Sequence, residues 1–152
     1  MPFYTGTVND YIDALARIST HATDNGWTAL RDSGGELILK STAPPNTDVY
    51  IGFKTYSVPN SGAFGLHLQG YIGYNASVAW HQQPRAIPNA YPSLPLLSSA
   101  MPYWLSVDAR RITGVFRCGS TYQSFYMGLY LPYAYPNQYP YPLFIGGSAD
   151  TD

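Results

Sequence analysis

Charge is scarce in this sequence. Asp, Glu, Lys and Arg make up 11% of its 152 residues, against about 25% in an average soluble domain. Glu36 is the only glutamate, and Lys40 and Lys54 are the only lysines. The net charge of −1 leaves no basic footprint for nucleic acid. The densest basic group, Arg110, Arg111 and Arg117, lies in a strand-like run, where arginine pairs with carboxylates or carbonyls. Cys118 is the single cysteine, so the chain can form no internal disulfide and no CxxC zinc site. No apolar run reaches the roughly 18 residues of a membrane span. The opening Met1-Pro2-Phe3-Tyr4-Thr5 lacks the basic and apolar regions of a signal peptide. The expectation is a chain made and folded in a cytoplasm, with no membrane and no nucleic-acid partner.

Catalytic signatures are missing as well. His21, His67 and His81 come from three different stretches without metal-ligand spacing. No GxSxG or GxxxxGK[ST] motif occurs, and the glycines around Gly62 to Gly73 interrupt strands where a dinucleotide loop would open a helix. Glu36, Asp48 and Asp108 are the candidate acids for glycosidic cleavage, but each falls at a strand end or turn. No local motif converges them on a reaction centre. Asn75-Ala76-Ser77 matches a glycosylation acceptor but has no secretory signal to go with it. The sequence thus points to no enzyme, no cofactor and no metal.

What is abundant is aromatic surface. Aromatic residues make up 16% of the chain, and 15 of them are tyrosine. Tyr and Trp are enriched, and Lys and Glu depleted, at the centres of protein interfaces. This composition favours a chain that buries surface against other proteins over one that only uses tyrosine as a strand former.

Along the chain, Thr7-Val8-Asn9-Asp10 resembles a capping box. Val8, Tyr11, Ile12, Leu15, Ile18 and Ala22 recur at helical spacing, which predicts an amphipathic helix stopped at Asn25-Gly26. Strands are predicted at 27–31, 36–41, 49–56 and 64–71, with a tight turn at Asp32-Ser33-Gly34-Gly35. Residues 75–102 contain five prolines and read as an extended loop. Further strands are predicted at 103–107, 110–118 and 121–131. Prolines 132, 136, 140 and 142 then alternate with tyrosines, which predicts an extended arm without internal hydrogen bonds. Gly146 to Asp152 reads as a flexible linker or tail. The expected fold class is α+β: an N-terminal amphipathic helix packed on a mostly antiparallel sheet or sandwich, with an extended Tyr/Pro-rich C-terminal arm. The expected division is 1–131 for the helix-plus-sheet domain and 132–152 for the arm and tail. Phe53, Leu66, Leu68, Trp104, Val115 and Phe125 are the expected core.

Several segments carry a resemblance. They are Gly26-Trp27-Thr28 with Glu36 to Lys40, Val49 to Ser57, Met101-Pro102-Tyr103-Trp104 with Arg110-Arg111-Ile112, and Ser120-Thr121-Tyr122. The most specific is Leu131-Pro132-Tyr133-Ala134 through Tyr139 to Ser148. Together they resemble a family of virion structural proteins encoded by tailed bacteriophages and their prophages. Its members are often longer beyond the Gly-Gly-Ser, so the resemblance implies an N-terminal domain or a short member. It further implies a non-enzymatic virion subunit of the tail, baseplate or neck, packed against copies of itself and other virion proteins in a symmetric assembly.

The expected interface residues are Tyr130, Tyr133, Tyr135, Tyr139, Tyr141 and Phe144 of the arm, with Tyr91 and Leu94 of the proline-rich loop. The arm from Tyr130 to Phe144 is expected to lie on a neighbouring subunit. The alternative is a receptor- or carbohydrate-binding module for a host-surface glycan, with Tyr103, Trp104, Tyr133 and Tyr135 as a stacking platform.

Overall fold

The computed structural model describes residues 2–43, 47–86, 91–129 and 143–147. Its strands are β1 (Phe3–Val8), β2 (Thr28–Ser33), β3 (Glu36–Ala43), β4 (Thr47–Val58), β5 (Ala63–Tyr71), β6 (Ser93–Leu96), β7 (Met101–Val107), β8 (Arg111–Cys118), β9 (Thr121–Leu129) and β10 (Leu143–Gly147). One helix, α1, spans Tyr11–Thr23, and a single 3₁₀ turn spans Trp80–Gln82. Two antiparallel five-stranded sheets result, ordered β1-β7-β8-β9-β10 and β2-β3-β4-β5-β6. They are called here the first and the second sheet. The class is α+β, with one helix packed against both sheets.

Turn chemistry sets the register. The β2–β3 hairpin closes through Gly34 and Gly35 at φ +62° and +78°. Two consecutive left-handed residues make the turn whose twist matches paired strands, and glycine adopts it without strain. The β8–β9 hairpin also turns on two residues, Gly119 and Ser120.

The inner faces meet in one core. Leu37, Leu39, Ile51, Phe53, Leu66 and Leu68 of the second sheet pack with Leu105, Ile112, Phe116, Phe125 and Met127 of the first. Phe53 and Phe125 meet edge to face at 5.7 Å, a favoured geometry for the ring quadrupoles. Leu143 and Ile145 of β10 close on Gly70, where an added Cβ would collide with them. The helix contributes Ala14, Leu15, Ile18 and Ala22 to the same core. Phe53, Leu66, Leu68 and Phe125 lie where the sequence places them.

Several expectations need correction. The first segment contains a strand that helical periodicity concealed: Thr7 and Val8 end β1. The cap lies three residues later than the Thr7 box implies. Asp10 is the N-cap and accepts from Asp13 N at 2.7 Å, while Asn9 N donates to Asp13 Oδ2 at 2.9 Å. This is a variant of the capping box, in which the N3 side chain of Asp13 reaches the N–H of Asn9, one residue before the N-cap. Ile12 is 56% exposed and lies off the buried stripe. Strand β6 occupies part of the proline-rich segment; Pro95 is tolerated because β6 is a sheet edge. Trp104 and Val115 are not core, since their strands turn them to the outer face and they are half-buried. Gly146 and Gly147 are no flexible linker: they pair with Tyr126 and Phe125 in β10. A division at residue 131 therefore cuts through one sheet.

Candidate functional site

The outer faces of the two sheets differ. On the second sheet, period-two alternation sends Ile38, Gly52, His67 and Tyr71 outward, and residues 72–86 and Tyr91 lie across them. Trp80 is fully buried there. It accepts a 2.8 Å hydrogen bond from Tyr71 Oη at its carbonyl and meets Tyr91 edge to face at 5.3 Å. Gln83 ties this cover together: Asn75 N donates to its Oε1 at 2.8 Å, and its Nε2 donates to Asn75 O at 2.9 Å and Val78 O at 3.1 Å. Arg31 donates to Val78 O at 2.9 Å and sits 5.6 Å from the Tyr74 ring centre. The middle of this face is closed by its own chain, while Lys40 and Lys54 stay partly exposed beside it.

The first sheet carries no such cover among the described residues. Its register aligns Phe3, Thr5 and Thr7 of β1 with Ser106, Trp104 and Pro102 of β7. It continues through Thr113 and Val115 of β8 to Tyr126 and Ser124 of β9. Phe144 and Gly146 complete the same face on β10. Phe3 is 63% exposed, Tyr122 59% and Phe144 42%. Trp104 and Tyr122 lie 6.2 Å apart, and Tyr126 and Phe144 5.6 Å apart. Among the described residues its strands place no lysine and no carboxylate on this face. Its cations are Arg111, paired with Asp108 at 3.6 Å, and Arg117, which donates to Gly119 O at 3.0 Å. Aromatic and arginine side chains without Lys, Glu or Asp are the make-up of an interface core.

The expected site residues divide accordingly. Tyr130, Tyr133, Tyr135, Tyr139 and Tyr141 lie outside the described residues. Phe144 belongs to β10, on the chain's own first sheet. Leu94 is fully buried within this chain, so it presents no outer surface; with Leu96 it is an inward residue of β6. Tyr91 is half-buried and braces the cover between His67 and Trp80. Tyr103 and Trp104 cannot share a platform, because strand neighbours point to opposite faces and Tyr103 is 4% exposed. Phe3 and Tyr122 were missed. Alternation in 121–129 separates Tyr122, Ser124 and Tyr126 from Phe125 and Met127, but it does not say which face stays open.

The titratable groups serve the framework. Glu36 lies 3.4 Å from Arg31 and 3.8 Å from Lys54. Asp108 Oδ1 accepts from Arg110 N and Arg111 N, which fixes the β7–β8 turn. His21 stacks on Tyr4 at 3.9 Å and bonds Tyr103 Oη at 3.0 Å; burial lowers its pKa. His67 stacks on Tyr56 at 4.4 Å and bonds Ser93 Oγ at 2.8 Å; burial and then Lys54 lower its pKa. The Cys118 thiol lies 3.6 Å from Met101 Sδ, and burial raises its pKa. Among the described residues no group of three or more His, Cys, Asp or Glu side chains could hold a metal ion, and no helix is long and apolar enough to cross a membrane.

No protein-family model matches the chain, and no curated protein matches its sequence.

Proposed function

We propose that this chain is a non-enzymatic structural subunit of a tailed-bacteriophage virion, in the tail, baseplate or neck. It works by packing the outer face of its first sheet against copies of itself and other virion proteins. The observation that carries the reading is the contrast between the two sheets. The same chain covers the middle of one outer face with Trp80 and Tyr91 and, among the described residues, leaves Phe3, Trp104 and Tyr122 uncovered on the other. Large rimmed aromatic patches mark binding surfaces, and a charge content of 11% lowers the desolvation cost of burying them. The resemblance to virion proteins supplies the setting.

A second reading rests on Trp104 and Tyr122, whose rings lie together beside Arg117 on an accessible face. Aromatic rings beside a hydrogen-bonding cation also suit a host-surface sugar. One experiment separates the two. The mass of the full chain is measured by light scattering, alone and with co-expressed virion proteins, for wild type and for Trp104→Lys with Tyr122→Lys. A wild-type assembly that dissociates in the variant supports subunit packing. An unchanged mass, with glycan-array binding lost in the variant, replaces it with the sugar-binding reading.

A further inference from the structure

A sheet must do something with its edges. An edge strand presents a row of outward N–H and C=O groups that pairs with any compatible strand, and soluble proteins block it with charge, proline or bulges. The second sheet is blocked at both ends. Strand β2 carries Arg31 and Asp32 and a register break between Ala29 and Arg31. Strand β6 has four residues and contains Pro95. On the first sheet, β10 has five residues, two of them glycine, which weakens it as a template.

Strand β1, apart from the single Gly6, has none of these devices among the described residues. Its sequence, Phe3-Tyr4-Thr5-Gly6-Thr7-Val8, contains no charge and no proline, and it runs without a bulge along β7. It is also held firmly in place. Thr5 Oγ1 donates to Tyr103 O at 3.1 Å, Pro2 O accepts from Val107 N at 3.1 Å, and Asn25 Nδ2 donates to Tyr4 Oη at 2.7 Å. Phe3, Thr5, Gly6 and Thr7 are all exposed.

We propose that β1 pairs antiparallel with β1 of a second copy, about a two-fold axis at Thr5, to join the two first sheets into one ten-stranded sheet. The self-pairing follows from the sequence. Opposed residues across such a joint must share a face. Centring on Thr5 sets Thr5 against Thr5, Phe3 against Thr7 and Tyr4 against Gly6 of the second copy. Every residue from 3 to 7 is then used, and no like charges meet. Gly6, which opposes Tyr4, is the one inward position without a side chain, because the chain's own Tyr103 ring lies over it. The outer faces of the two copies become continuous across the axis, so Phe3 of each extends the aromatic face of the other. The proposal rests on the assembly reading above and adds the surface and symmetry by which two copies join.

The test is register-specific cross-linking. Thr5→Cys and Thr7→Cys are each made in a Cys118→Ser background and oxidised at low protein concentration, and circular dichroism confirms the fold. Directly opposed Cβ atoms lie about 4.5–5.5 Å apart, close to disulfide reach, whereas successive same-face positions lie farther away. The expected result is a covalent dimer for Thr5→Cys and little for Thr7→Cys. Thr5→Lys, which opposes two ammonium groups, is expected to lower the wild-type mass. Equal cross-linking of the two cysteine variants, or none, overturns the proposal. An assembly that survives Thr5→Lys but dissolves on Trp104→Lys with Tyr122→Lys also overturns it and leaves subunit packing intact. A wild-type chain that is monomeric at all concentrations overturns β1 pairing; subunit packing then stands or falls on the co-expressed virion proteins.

Discussion

Gly52→Ala tests why one sheet face is closed. Gly52 lies outward at the middle of β4, under Tyr71 and Trp80. An added Cβ there would come 2.5 Å from Tyr71 Oη, 2.7 Å from Tyr71 Cε2 and 2.8 Å from Trp80 Nε1. None of these atoms is the loose end of a mobile chain. Tyr71 is 3% exposed, Trp80 is fully buried, and the two are joined by the Tyr71 Oη bond to Trp80 O. The methyl group must therefore lift Trp80 or bend β4. Overpacking of this kind costs about 1–3 kcal/mol. For a domain of this size each kcal/mol lowers Tm by about 2–4 °C, so a fall of about 2–12 °C is expected. The assay is thermal unfolding followed by far-UV circular dichroism and by tryptophan fluorescence. Leu66→Val, a milder change in the shared core, serves as a control that should leave Trp80 in place. An unchanged Tm with unchanged Trp80 emission would refute the reasoning, because the cover would then not be seated on a glycine floor. A lifted cover would also expose a second apolar face and promote association through the wrong sheet.

Three further outcomes are expected. Asp10→Ala removes the helix N-cap and should destabilise the protein by about 0.5–2 kcal/mol in urea titration, while Asp10→Asn retains most of the stability. Ile18→Ala, which empties a fully buried position on the helix, should cost about 2–5 kcal/mol, whereas Ile12→Lys on its exposed side should change urea stability little. The third concerns pH. His21 and His67 have folded pKa values below the ordinary 6.5, so the unfolded chain binds more protons as pH falls through 6.5 toward the lowered values. Their contribution is therefore fully present above about 6.5 and is lost as pH falls through that window. Urea midpoints should drop on going from pH 7.5 to pH 5, and His67→Gln should flatten that drop.

Composition and short-range pattern determined much of this protein. The helix was legible because Leu15, Ile18 and Ala22 repeat at its period. The β2–β3 hairpin was legible because Gly34 and Gly35 mark a turn that other residues enter only with strain. Phe53, Leu66 and Phe125 were legible as core because they alternate with polar neighbours. Other features were settled by contacts between residues far apart in sequence. Val8 fits a helical stripe as well as a strand end, and only its pairing with Met101 decides the matter. Nothing local marks Ser93–Leu96 or Leu143–Gly147 as strands, since each is fixed by a partner strand. The candidate site shows the same limit. Alternation separates Trp104 from Tyr103 and Tyr122 from Phe125, and the strand register puts Trp104 and Tyr122 on one face, but a strand's pattern is symmetric between its two sides. Which side is buried depends on what the rest of the chain lays across it. Here the helix and the second sheet took the inner side, and Trp80 was spent on the other sheet, so the tertiary structure alone left Trp104 and Tyr122 facing outward.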